Sequence, residues 1–444
     1  MSARCHTGAS RRLRELVRAE IARLGSTISP RKIVIKPNWV LHATDDAFPI
    51  EALVTDARLV EAVVEACLAQ FPDASITVCD VPLQYSDFAL MKKQCGLDGV
   101  IERLTSERVT FRDLRREVMT RDESSFLRPV AGDHGDPRGY RLVQLGSRSH
   151  LEPIAEDSKR FAVNDYRGTV TRSNHASGHH NYLISQTVLD CDLFINVPKW
   201  KSHQKSALTG ALKNVVGISG DKAFLPHFRR GAPRWGGDEY RDEHRWMYLV
   251  QTRLREALQK RSSTAFELLK PGWELFKRLR GLETRMDKPV AAGREFYIAG
   301  GAWFGNDTIW RMIYDLNLII ETADAEGVCR PRAQRRYFCI VDGLVCGEGN
   351  GPLQPLPRPT DWIVTGDDPF EIDATRAWFM GFDPELVPII ARRQEYLGAW
   401  GRFALDDLDV SVDAEQMPLT RSAINLEFVP PPGWRDHVER RPPP

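Results

Sequence analysis

Residues 31–38, RKIVIKPN, set Ile33, Val34 and Ile35 between two lysines and close on Pro37 and Asn38. A short run rich in β-branched side chains and ended by turn formers reads as a buried strand. Four further runs share the pattern. ASITVCD (74–80) ends at Asp80, and DLFINVPK (192–199) runs through Asn196. YFCIVDG (337–343) closes with Asp342, and DWIVTGDD (361–368) with Asp367 and Asp368. Between them lie helical patterns. TDARLVEAVVEACLAQF (55–71) offers Thr55 as N-cap and a stripe of Leu59, Val60, Val63 and Val64. NDTIWRMIYDLNLII starts at Asn306, and DDPFEIDATRAWFMGF places Pro369 at the first helical position. The alternation predicts an α/β fold, a mostly parallel doubly wound sheet with helices on both faces.

In such sheets ligands sit beyond the carboxyl ends of the strands. Here those ends carry Asn38, Asp80, Asn196, Lys199, Asp342 and Asp368. Turns favour Asn and Asp in any case, but five polar strand ends together suggest a shared crevice.

The rest of the chain is organised around this core. Residues 1–30 read as an amphipathic helix (Leu13, Leu16, Val17, Ile21, Leu24) stopped by Gly25 and packed on a single domain spanning 31–430. An arginine-rich targeting helix is the alternative there. Residues 112–180 and 241–290 read as insertions. The second holds amphipathic helices broken at Pro271, suited to a lid or a homo-oligomer surface. The proline-rich tail, 431–444, is expected to fray.

Composition narrows the function. The 444 residues are 42% hydrophobic and 27% charged with net charge +1, an ordinary globular balance without the cationic excess of a nucleic-acid binder. No apolar run reaches the roughly 18–20 residues of a membrane span. Eight scattered cysteines form no CxxC, so no iron–sulfur cluster is expected, and reduced thiols fit a cytoplasmic location.

Against this neutral background, VPKWKSHQKSALTGALKNVVGISGDK (197–222) packs five lysines and a histidine behind a predicted strand. Held extended, Lys199, Lys201, His203 and Lys205 share one face and suit an anionic ligand. A solvated basic loop is the competing reading. Lys213 would add a cation or simply favour a helix C-terminus. In LPHFRRGAPRWGGDEY, His227, Arg229 and Arg230 add donors suited to phosphate or carboxylate. Asp342, Glu348 and Asn350 in VDGLVCGEGNGP are oxygen ligands that would suit Mg²⁺, or polar residues of a glycine-rich turn. His175, His179 and His180 are a weaker zinc alternative. Trp39 and Trp200 would stack on a ligand or pack in the core.

IKPNW, TDARLVEAVVEA, VPKWKSHQKSALTGALKNVVGISGDK, LPHFRRGAPRWGGDEY, VDGLVCGEGNGP and DDPFEIDA, in that order from about residue 31 to 376, resemble the domain of unknown function 362 family. The resemblance puts Lys199, Lys201, His203, Lys213 and Asn214 in one signature block and Asp342, Glu348 and Asn350 in a second. Some relatives carry an appended iron–sulfur module, whose cysteine spacing this chain lacks. DVPLQYSDF with LPHFRRG is similar to a subgroup associated with polysaccharide and glycan biosynthesis loci.

The expectation is a cytoplasmic enzyme for a phosphorylated, nucleotide-linked or carboxylate small molecule, with no nucleic-acid or membrane partner. Catalysis would fall to His203, Lys201 and Asp342. Asn38, Lys199, Lys205, Lys213, Asn214, His227, Arg229 and Arg230 would hold the substrate. A non-catalytic binding protein for nucleotides or glycan precursors is the alternative, and a redox-associated protein a third.

Overall fold

A computed structural model describes residues 3–121, 127–132, 134–164, 166–242, 282–283, 295–296 and 298–440. The insertion expected at 241–290 lies outside them except for 241–242 and 282–283.

The chain builds an eleven-stranded sheet from β1 (Ala3–His6), β2 (Lys32–Pro37), β3 (Ser75–Asp80), β4 (Val109–Asp113), β5 (Leu193–Val197), β6 (Lys199–His203), β7 (Ala207–Thr209), β8 (Arg336–Asn350), β9 (Gln354–Gly366), β10 (Asp409–Val412) and β11 (Glu415–Pro418). Its order is β11–β10–β1–β9–β8–β5–β2–β3–β4, with β6 pairing β8 and β7 alongside it. One half matches the expectation: β8, β5, β2, β3 and β4 are consecutively parallel. The other half corrects it. β9 runs antiparallel to β8 and β1 antiparallel to β9, while β10–β11 and β6–β7 are antiparallel pairs, so the sheet is mixed. A long hairpin between β8 and β9, turning at 351–353, makes antiparallel neighbours of two strands expected in a mostly parallel sheet.

Two apolar layers cover the sheet, and strand periodicity explains the division. Ile33 and Ile35 of β2 face α1 (Leu13–Gly25) and α2 (Ala57–Gln70), whose Val17, Ile21, Leu59 and Val63 are buried with them. Val34 and Phe194 face the opposite layer, with α6 (Ile309–Thr322) and α7 (Pro369–Met380). Smaller helices between these in the chain include α3 (Phe88–Cys95), α4 (Leu97–Leu104) and α5 (Ala211–Asn214).

Local signals are mostly kept. Asp368 caps α7 by accepting from Phe370 N, and Asn306 Oδ1 accepts from Thr308 N and Ile309 N before α6. The cap of α2 is Asp56 rather than Thr55, because Thr55 Oγ1 donates to the Val197 carbonyl and accepts from Asn38 N, tying β2 to β5. From within 112–180, residues 140–144 pair antiparallel with 181–185. The tail does not fray up to residue 440: Trp434 is buried and its indole N–H donates to the Gln204 carbonyl. Among the described residues no helix is long and apolar enough to cross a membrane, and all eight cysteines are free.

Candidate functional site

The strand order reverses between β2 and β5: from β2 the chain proceeds outward to β3 and β4, then returns on the other side. Such a switch point opens a crevice at the carboxyl ends. A cavity of about 160 Å³ lies there, lined by Lys36 and Asn38 at the end of β2 and Asp80 at the end of β3. Lys201, His203, Lys205, Thr209, Lys213, Asn214, Lys222 and His227 complete its polar wall, and Tyr85, Tyr166, Val163 and Leu353 contribute to the rest. Among the described residues, five lysines and two histidines thus face a single carboxylate.

That carboxylate is already committed. Asp80 Oδ1 accepts from Lys36 Nζ at 2.7 Å and Oδ2 from Trp39 N at 2.7 Å. Lys36 reaches it because it follows Val34 on the face opposite Ile33 and Ile35.

α5 carries Lys213 and Asn214 into the cavity, and two sets of contacts hold it. Asp373 of α7 accepts from Ala211 N and Leu212 N, and Arg376 pairs with Asp373 at 2.8 Å while donating to the Thr209 carbonyl. Only a glycine at 210 permits this approach, since a Cβ there would collide with the Asp373 carboxylate. On the other side, Asn38 Nδ2 donates to Asn214 Oδ1 (3.0 Å) and Asn214 Nδ2 to Asn196 Oδ1 (2.7 Å). Asn196 Nδ2 donates in turn to the Ala211 carbonyl (2.8 Å). Asn38 Oδ1 and Thr209 Oγ1 are buried without a partner.

Gly217 brings backbone onto the Lys36–Asp80 pair: a Cβ would strike Asp80 Oδ1 and sit 2.6 Å from Lys36 Nζ. Gly217→Ala is expected to cost about 1–3 kcal/mol by overpacking. Urea unfolding checks this, and an unchanged midpoint would contradict the packing.

Clustered cations set the electrostatics. Lys213 and Lys222 make no ion pair among the described residues. Burial first, and then Lys222, Lys205 and Lys36, push Lys213 down to about 7. Burial pushes Lys222 down to about 8, against the pull of Asp80. Lys201 is lowered well below the lysine range by burial and by Lys199 and Lys213, its Nζ donating to the Leu53 carbonyl at 2.5 Å. His203 and His227 are held well below the usual imidazole range by burial and then by Lys213 and Lys205. Lys205 Nζ sits 4.9 Å over the Phe228 ring. An assembly of this kind is costly empty and favourable around an anion.

The structure gathers some of the expected residues and separates others. Asn38, Lys201, His203, Lys205, Lys213, Asn214 and His227 line the cavity. Lys199 does not: it registers with Asp342 on β8, and its Nζ pairs with Asp342 Oδ2 at 2.9 Å, both buried. Lys199 and Lys201 both reach toward residues 53–56, Lys199 through Asp342 and Lys201 to the Leu53 carbonyl, but only Lys201 also lines the cavity. Asp342 also accepts from Asp56 N and Leu344 N, which ties it into the sheet. Arg229 pairs with Asp157, Asp238 and Asp307, and neither it nor Arg230 lines the cavity.

The oxygen set expected for Mg²⁺ is not assembled. Asp342 pairs with Lys199, Glu348 accepts from Arg358 and Val429 N, and Asn350 donates to Gln354. Among the described residues no three His, Cys, Asp or Glu side chains are disposed to hold a metal ion, His175 and His180 with Glu152 included. Trp39 and Trp200 are fully buried packing residues, beside Phe88 and Phe428.

Asp80 lies in the crevice expected of the polar strand ends, whereas the cavity residues Lys36, Thr209 and Lys222 were among those given no role from the sequence. A lysine on the inward face of an apolar strand was the available signal for Lys36. For Lys222 it was membership of the lysine-rich stretch 197–222.

No curated protein matches the chain closely enough to count as a relative. A family model described as "Domain of unknown function (DUF362)" matches residues 118–377, which include α5, His227 and Asp373 but not the ends of β2 and β3. Because that match spans more than half of the 444 residues, the chain belongs to the DUF362 family.

Proposed function

We propose that the protein is a cytoplasmic enzyme that binds a phosphorylated, nucleotide-linked or carboxylate small molecule in this cavity, with a place in glycan or polysaccharide biosynthesis. One observation carries the reading: five lysines and two histidines surround a pocket whose only carboxylate among the described residues, Asp80, is already paired with Lys36. Lys213 and Lys222 would supply the charge for the anion, Lys201 and Lys205 would flank it, and His203 and His227 would perform acid–base work. The orphaned Asn38 Oδ1 and Thr209 Oγ1 support a ligand that completes the wall.

Isothermal titration with inorganic pyrophosphate tests the binding step, and saturable binding that a neutral disaccharide does not reproduce is expected. Stability should follow the same charges. Unfolded lysines stay protonated to about pH 10.4, whereas Lys213 and Lys222 lose their protons near about 7 and 8 when folded. Between these limits the unfolded chain holds more protons, so the ligand-free protein gains stability as pH rises from about 7 toward about 10. Pyrophosphate should stabilise most at the acidic end. Thermal unfolding at several pH values, with and without it, reads both effects. Absence of pyrophosphate binding would remove the proposal.

A further inference from the structure

Burial and the neighbouring lysines favour the neutral form of both cavity histidines, and their backbone contacts fix opposite tautomers. His203 Nδ1 lies 3.0 Å from the backbone N–H of Lys205, which can only donate, so Nδ1 carries no proton and the hydrogen sits on Nε2. His227 Nδ1 lies 2.8 Å from the Leu225 carbonyl, which can only accept, so Nδ1 carries the hydrogen and Nε2 keeps a lone pair. Nε2 is the one ring nitrogen of His227 left for a ligand. His203 presents a donor to the same cavity.

A second acceptor follows from the asparagine chain. The Ala211 carbonyl orients Asn196, Asn196 Oδ1 orients Asn214, and Asn214 Oδ1 orients Asn38. Asn38 therefore turns its oxygen, not its amide N–H₂, toward the position without a partner. In a lining where lysine donors predominate, His227 Nε2 and Asn38 Oδ1 are acceptors that carry no hydrogen of their own. A ligand offering only anionic oxygens would satisfy neither.

We infer that the ligand is an oxyanion that also carries a hydroxyl, and that His227 Nε2 takes that hydroxyl's proton while His203 Nε2–H holds an anionic oxygen. This rests on the anion-binding reading above. In the step, the ligand's O–H bond breaks, its electron pair stays on oxygen, and an N–H bond forms at His227 Nε2. The net charge of the site is unchanged, and the new oxyanion lies among ammonium groups. The charges acting on His227 are those of Lys213, Lys205 and Lys222. Arg229, two residues along, is occupied by Asp157, Asp238 and Asp307. A bound anion offsets these cations and so restores basicity to His227. His203 could gain a proton only by giving up the bond from Lys205 N.

Inorganic phosphate and sulfate separate the claims, since both are tetrahedral oxyanions but near neutral pH only phosphate carries a hydroxyl. On the full-length wild type, ¹⁵N NMR of labelled histidines should show His203 protonated at Nε2 and His227 at Nδ1. Phosphate should add a proton at His227 Nε2 and leave His203 neutral. It should bind about tenfold more tightly than sulfate, the worth of one added hydrogen bond, and His227→Phe should erase that preference while sulfate still binds. Equal affinities for the two ions in the wild type, a shared tautomer, or first protonation at His203 would overturn the inference. Failure of both ions to bind would instead overturn the anion reading beneath it.

Discussion

Asp342→Ala is expected to destabilise the protein by about 3–5 kcal/mol, the cost of leaving one partner of a buried ion pair uncompensated. Lys199 Nζ would remain buried at 1% exposure with its carboxylate gone, and the N–H groups of Asp56 and Leu344 would lose their acceptor. The double variant Lys199→Met/Asp342→Leu should recover most of that loss, because apolar groups of similar volume need no counter-charge. Urea-unfolding midpoints for the three proteins decide the matter. Pyrophosphate affinity should stay within about threefold in the double variant, since the pair lies off the cavity; one or two lost hydrogen bonds would give more. A large fall in affinity with stability intact would instead place Asp342 in the binding machinery.

Lys213→Met should do the opposite. Its ammonium is buried, meets three other cations and has no carboxylate partner among the described residues. Removing it takes an unfavourable charge out of the ligand-free protein, so unfolding should shift to equal or higher denaturant. Binding should suffer, because an anion loses a charge-assisted hydrogen bond of about 1.5–3 kcal/mol, roughly ten- to 150-fold in affinity. Calorimetric titration with pyrophosphate beside a urea melt reads both quantities. Unchanged affinity, or loss of affinity only together with loss of fold, would deny Lys213 its place.

These two lysines stand fourteen residues apart in one signature block and look alike on composition. Their fates differ because Lys199 lies in register with Asp342 on β8, while Lys213 rides a four-residue helix held by Asp373 and Asn196. Neither partner is local. The same holds for Lys36, Asp80 and Lys222, which become neighbours only when β2 and β3 lie side by side and the segment after α5 folds over them.

What the amino-acid order determined by itself is whatever short-range physics controls. β-branched runs ended by Asn or Asp became strands, Pro369 and Asp368 started α7, and cations gathered after β5 became half of a cavity wall. What the tertiary structure alone decided is how distant segments pair. β1 joins β9 across some 360 residues, the β8–β9 hairpin turns the parallel sheet into a mixed one, and the strand reversal beside β2 sets which polar tips share a pocket. Strand propensity is a property of a few adjacent side chains, whereas pairing is chosen by burial summed over the whole sheet, which no single stretch encodes.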